Sequence, residues 1–414
     1  MSIWLLPEGD LTPDQMRAVE MAPDRHRVIL GVAGSGKTQV LVHRAAYLAK
    51  TYNIPPERFR VFVFTNVVKE YIRSGMQFLG FPDETVCTFD HWCRIFHERE
   101  ISERLPRIET SKDELDFKQI RLAVLRRLKS VRPPKKYLDF ILVDEGQDLS
   151  TQAFEIMTLA ANHVTVFADP MQQIFEDGAG ENEILQMMGL RRENAILLGA
   201  YRNSPYVAEL AAHFIDSDIR KKQYLSTVAV RQTVKERPLC YIASNHDDAM
   251  DHLAEMVRLR TLRNERVGII VSQTKRVYGI AKAMEERGID IEMAIPHRKP
   301  GMPVTFDFNN DRVKIATYHS AKGLTFDSVL LPKITEEAFK TISREALRKR
   351  MLFVGITRAT QWVYLNTVRG KESDTFYLLR EAAAAGHLTI QDRRTTAGTS
   401  KKITQPYDDY DIPF

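Results

Sequence analysis

Apolar residues along this chain gather into short unbroken runs divided by polar turns, the pattern of strands buried on both faces. The first run, Arg27-Val28-Ile29-Leu30, is followed by a glycine-rich octet, Gly31 to Thr38, and then by Gln39-Val40-Leu41-Val42-His43-Arg44, which reads as a helix. Further strands are predicted over 58–65 (RFRVFVFT), 84–89 (ETVCTF) and 140–143 (FILV), and later over 239–243, 267–272 and 313–317. Strands alternating with helical stretches predict an α/β protein with mostly parallel sheets flanked by helices. Thr12 before Pro13 predicts a capped helix start running through Ala18 and Val19. Residues 111–131 read as an amphipathic helix whose Lys118, Arg121, Arg126, Arg127 and Lys129 form a solvated basic face by default.

The octet GVAGSGKT adds chemistry to that pattern. A glycine-rich turn between strand and helix aims successive backbone N–H groups and the positive helix end at one spot, where a polyphosphate fits. Gly34, Ser35 and Gly36 would form the cradle, Lys37 would reach the β/γ-phosphates, and Thr38 would offer its hydroxyl to Mg²⁺. The strand 140–143 delivers Asp144-Glu145-Gly146-Gln147-Asp148. An apolar strand ending in two carboxylates suits a metal ligand, Asp144, beside a residue that orients the attacking water, Glu145. The expected cofactors are ATP and Mg²⁺.

With the form DExQD, the chain resembles the UvrD/Rep-type superfamily 1 DNA helicases, and the other motifs of that family follow in order from Leu11 to Ala359. LTPDQ resembles the adenine-reading Q motif, carried by Gln15, which alone reads as an ordinary surface glutamine. Gln39 stands where many members have arginine. The resemblance implies single-stranded DNA contacts at Phe64, Thr65 and Asn66 (motif Ia, with Phe64 equally readable as strand core), Thr88 and His91 (Ib), Phe175 (III), and Thr317 and His319 (V). It implies γ-phosphate contacts by Gln172, Arg202 and Arg358, Tyr201 against adenine, and Gly323 at the nucleotide. The fold implied is two RecA-like lobes with ATP at their interface, residues 1–199 and 200–387, with a small helical insert over about 98–136 and a flexible tail over 388–414. The activity implied is ATP-driven translocation on single-stranded DNA, 3′ to 5′, with DNA unwinding and a place in replication, repair, recombination or defence. The alternative is a nucleotide-switched adaptor gating a partner such as a nuclease.

Three departures stand out. The slots that hold large inserted subdomains in the family are short here, suggesting a minimal two-lobe form. After Gln172 the chain runs Gln173-Ile174-Phe175-Glu176-Asp177, acidic and without the usual arginine-flanked aromatic. Thr325 stands where motif V has a ribose-binding glutamate, so base or sugar selectivity is expected to be relaxed.

Composition constrains the rest. The 414 residues suit two to three domains, and a net charge of +5 permits nucleic-acid binding without demanding it. No apolar run reaches membrane-spanning length, so a cytoplasmic chain is expected. Three cysteines, Cys87, Cys93 and Cys240, argue against a disulfide framework and read as small buried hydrophobes. Asp408, Asp409 and Asp411 leading to Ile412-Pro413-Phe414 resemble the C-terminal tip of bacterial single-stranded DNA-binding protein, implying partners that read such tips, possible replication proteins or nucleases among them. A plain solubilising acidic end is the other reading.

Overall fold

The computed structural model describes residues 4–32, 34–109, 114–133, 135–172, 178–199, 204–227, 236–294, 306–308, 310–342 and 344–393. Thirteen described strands form two wholly parallel sheets. The first contains β1 (Arg27–Gly31), β2 (Phe59–Val63), β3 (Val86–Thr88), β4 (Leu138–Val143), β5 (Ala161–Ala168) and β6 (Ile196–Leu198), in the order β3-β2-β4-β5-β1-β6. The second contains β7 (Leu239–Ala243), β8 (Val267–Val271), β9 (Ile291–Met293), β10 (Val313–Thr317), β11 (Phe326–Leu331), β12 (Ala359–Val368) and β13 (Thr389–Asp392), in the order β13-β7-β12-β11-β8-β10-β9. The α/β class with two mostly parallel sheets is therefore present, as the strand runs require: Val28, Ile29 and Leu30 of β1 and Ile141, Leu142 and Val143 of β4 are all buried.

Thr12 caps the helix Pro13–Glu20 in a capping box completed by Gln15. The C-terminal carbonyls of that helix meet the fully buried Arg44, whose guanidinium takes the carbonyl oxygens of Ala18, Val19 and Met21 and donates to Thr165 Oγ1 at 3.0 Å. Burial draws the Arg44 pKa down to about 10. Arg44 thus pins the first helix and the helix Lys37–Thr51 to β5, because an arginine out of water holds its place only when its donors are satisfied.

Three expectations are corrected. The strand expected at 84–89 is only Val86–Thr88, since Pro82 starts a 3-10 turn over Asp83–Thr85 and Thr88 already caps the helix Phe89–Glu100. The basic helix begins at Phe117, not near Ser111, with Asp116 as its cap. The tail does not begin at 388: Leu388 is buried and Thr389–Asp392 pair with Leu239–Ile242 of β7, an edge strand added to the second sheet. Apolar side chains from one face of each sheet merge into one continuous core across the junction, with Val61 and Phe140 on one side and Val329 and Val363 on the other.

Candidate active site

Strands β4, β5 and β1 are neighbours, so the segments leaving their carboxyl ends converge, as at the ligand crevice of open parallel sheets. From β1 comes the phosphate loop. A Cβ on Gly31 would stand 2.4 Å from Ser35 Oγ and 3.3 Å from Leu198 Cβ, so a larger residue there would have to displace the Ser35 side chain. Lys37, buried, folds back on the loop: its Nζ donates to the Gly31 carbonyl at 2.7 Å and the Val32 carbonyl at 3.2 Å, and lies 3.7 Å from Asp169 Oδ2.

From β4 come Asp144 and Glu145. Both oxygens of the buried Asp144 carboxylate lack a hydrogen-bond partner, and burial with Glu145 alongside pushes its pKa up to about 7. A buried acid left without donors suits a divalent cation, and Thr38, at the start of the helix Lys37–Thr51 and on the wall of the neighbouring cavity, carries a hydroxyl of the kind such an ion accepts. Glu145 adopts a left-handed backbone (φ 52°), unusual for a non-glycine residue. Burial pushes its carboxyl up, but Lys322, Lys37 and Arg358 outweigh burial and hold it below its ordinary range. Gln147 steers it, donating to Glu145 Oε2 at 2.5 Å while accepting from the Asp169 N–H at 2.9 Å.

The second sheet closes the site with the turns at the amino ends of β11 and β12. Arg358, buried, donates from Nη2 to Gln172 Oε1, and Gln172 Nε2 donates in turn to Asp169. The guanidinium is held by the Val354 carbonyl at 3.1 Å, and burial lowers its pKa. Lys322 crosses the junction more directly, with Nζ 2.5 Å from Asp148 Oδ2, 2.6 Å from the Gln172 carbonyl and 3.7 Å from Glu145 Oε2. Gly323 follows with φ 81°, close to Val68 and Glu145. Gly34, Ser35, Gly36, Lys37, Thr38, Gln39, Glu145, Gln172, Gly323 and Arg358 line one cavity, along with Tyr71 and Thr325. Lys322 and Tyr71 were not singled out from sequence as site residues. The lysine lay in a recognised motif, whereas nothing local marks a tyrosine in the middle of the helix Asn66–Phe78.

A model of the UvrD/REP helicase N-terminal domain matches residues 11–111 and 97–189, and one of the UvrD-like helicase C-terminal domain matches residues 303–370. The chain carries both domains of the UvrD-like helicases. This UvrD-like chain is 24% identical over 298 residues to a probable DNA helicase II homolog of Mycoplasma capricolum, covering 50% of the chain and 41% of the relative. It is 27% identical over 176 residues to DNA helicase II of Escherichia coli, covering 40% of the chain and 23% of the relative. It is 32% identical over 94 residues to the ATP-dependent DNA helicase PcrA of Bacillus subtilis, covering 22% and 13%. The chain thus spans less than half the length of these relatives.

The residues expected at DNA sit at strand ends. Phe64, Thr65 and Asn66 follow β2, Thr88 ends β3 and Thr317 ends β10. Thr65, Thr88 and Thr317 use their hydroxyls as helix caps, toward Val68, His91 and Ser320 N–H. Asn66 and His91 are exposed, and His319 is half-buried. The short helix Tyr318–Ala321 packs on the helix Asn66–Phe78, which brings the motif V and motif Ia positions together across the junction. Gln15 and Gln39 lie beside the phosphate loop with their amides on backbone groups. Tyr201, Arg202, Phe175 and the acidic run Asp408, Asp409, Asp411, Ile412, Pro413 and Phe414 lie outside the described residues. No described helix is long and apolar enough to cross a membrane.

Proposed function

We propose that the chain is an ATP- and Mg²⁺-dependent motor that translocates along single-stranded DNA, 3′ to 5′, in the manner of the UvrD-like helicases, and unwinds duplex as it does so. The observation that supports this reading most is the convergence of Lys37 and Glu145 from one sheet with Arg358 from the other on a single cavity, with the buried Asp144 carboxylate next to Glu145 and within electrostatic reach of Lys37. In this reading Lys37 and Arg358 hold the phosphates, Gln172 senses the terminal phosphate, Thr38 and Asp144 hold the magnesium ion, and Glu145 orients water. The ion, when bound, supplies charge stabilisation at the transferring phosphoryl group. Arg202 would act beside Arg358. Because the cavity needs residues from both sheets, loss of the terminal phosphate would weaken their union and open the cleft, which couples turnover to movement.

Asn66 and His91 would meet the DNA directly, with Phe64, Thr65, Thr88, Phe175, Thr317 and His319 alongside, and the small helical insert over about 98–136, with its helix Phe117–Ser130, would make this a minimal two-lobe form. The acidic run ending in Ile412-Pro413-Phe414 would serve as a docking peptide for proteins that read such sequences. An ATPase titration with single-stranded DNA tests the motor: strong stimulation that weakens with salt is expected, and Glu145→Gln should abolish it while nucleotide still binds. Turnover that ignores DNA would refute the motor.

A further inference from the structure

Tyr71, in the middle of the helix Asn66–Phe78, is clamped between two aromatic rings that come from opposite sides of the junction. On one side its ring stacks on Trp4, with centroids 3.9 Å apart. On the other it meets the ring of Phe308 edge to face, at 4.9 Å and 61°. Trp4 is fixed to the same helix as Tyr71: its indole N–H donates to Ser74 Oγ at 2.8 Å, and its ring lies so close that a Cβ on Gly75 would stand 2.6 Å from it. Phe308 comes from the other side, in the segment that leads into β10. That segment is tied to β9, the last strand of the second sheet, where Glu292 accepts from the Asp307 N–H, from the Asn310 amide at 3.3 Å and from Lys314 Nζ at 2.6 Å. Phe306, buried, backs Phe308 at 5.8 Å.

The place of this contact in the two sheets decides what it can do. The chain crosses from the first sheet to the second after β6, a terminal strand, and the second sheet takes it up where the Ser204 N–H donates to the Thr360 carbonyl at 2.7 Å. Tyr71 follows β2, four places from β6 in the strand order, or roughly 20 Å at the usual strand spacing. Two bodies that part about a crossover separate most at the points remote from it. Tyr71 also lines the nucleotide cavity, so the ring that meets Phe308 stands where the two sides must come together around a ligand.

The geometry points to Tyr71 and Phe308 as a closure latch, a contact made when a triphosphate draws the two sheets together and broken when they part, with Trp4 as the fixed plate behind Tyr71. The latch rests on the nucleotide-driven closure proposed above. A contact made in only one of two states stabilises that state alone, and so strengthens binding of whichever ligand needs it. An aromatic pair of this kind shifts such an equilibrium by roughly two- to tenfold.

The test compares binding of a non-hydrolysable ATP analogue and of ADP, each with Mg²⁺, to the full chain and to its Phe308→Leu, Tyr71→Leu and doubly substituted variants. Phe308→Leu should weaken the analogue roughly two- to tenfold and leave ADP unchanged, because ADP lacks the phosphate that draws the sheets together. Tyr71→Leu should lower the analogue-to-ADP affinity ratio by a similar factor, and the double variant should lower it no further than the larger single change. A side chain that merely supported the fold would weaken both nucleotides alike. Equal losses for the two nucleotides, an unaltered ratio in Phe308→Leu, or additive losses in the double variant overturn the latch and leave the nucleotide site standing. Failure of the unsubstituted chain to bind either nucleotide overturns the site itself, and the latch with it.

Discussion

The Lys322 ammonium lies 2.5 Å from the Asp148 carboxylate, joining a turn before β11 to the turn after β4. Both side chains are buried, so each neutralises a charge that the interior would otherwise reject.

Lys322→Ala should therefore lower stability by about 3–5 kcal/mol, because the buried Asp148 carboxylate loses the cation 2.5 Å from it. Lys322→Ala with Asp148→Asn should recover part of that loss, a coupling read from urea denaturation of the two single variants and the double.

A pH effect follows from Asp144, whose pKa rises from an ordinary 3.8 to about 7 in the folded chain. The folded state then keeps a proton that the unfolded state releases, so stability falls as pH climbs from about 4 to about 7, and the penalty is complete above 7. Asp144→Asn removes it. In the absence of nucleotide, that variant should melt a few degrees above the wild type at pH 8 and close to it at pH 4.

Gly146 follows Glu145 directly, and a Cβ there would meet Val166 Cγ1 at 2.4 Å. Gly146→Ala should cost about 1–3 kcal/mol by overpacking and reduce turnover more than nucleotide binding, since Glu145 shifts with it. Gly279, exposed in the helix Thr274–Glu285 with nothing within 4 Å of its Cβ position, is the contrast. Gly279→Ala should stabilise by about 0.5–1 kcal/mol, measured by the same melts.

Arg358 spends separate nitrogens on Val354, Leu324 and Gln172. A lysine cannot reproduce that fork. Arg358→Lys should reduce DNA-stimulated ATP turnover by roughly 10³-fold or more, with nucleotide affinity changed far less; a steady-state assay paired with a binding titration decides it.

Local pattern made the phosphate loop and the Asp144-Glu145 turn legible, because each follows an apolar run whose burial needs no distant partner to explain it. Lys322 and Arg44 were harder: a lysine or arginine reads as surface until the fold surrounds it with carbonyls or carboxylates. β13 escaped for a related reason. Thr389-Ile390-Gln391-Asp392 has one strongly apolar residue, and it becomes a strand only where the edge of β7 supplies the hydrogen bonds. Gln15 carries no local sign of its place: its bond to the Ser35 carbonyl exists only once the phosphate loop folds against the first helix.

The segment Trp4–Leu6 is strapped to the helix that begins at Lys37, through Gln39 on two of its backbone groups and His43 on the Leu6 carbonyl at 2.9 Å. An affinity tag or trimmed start that peels this strap away would slacken the very helix that presents Lys37 and Thr38. Preparations differing only ahead of Pro7 would then differ in their grip on triphosphate, a discrepancy easily mistaken for a difference in purity.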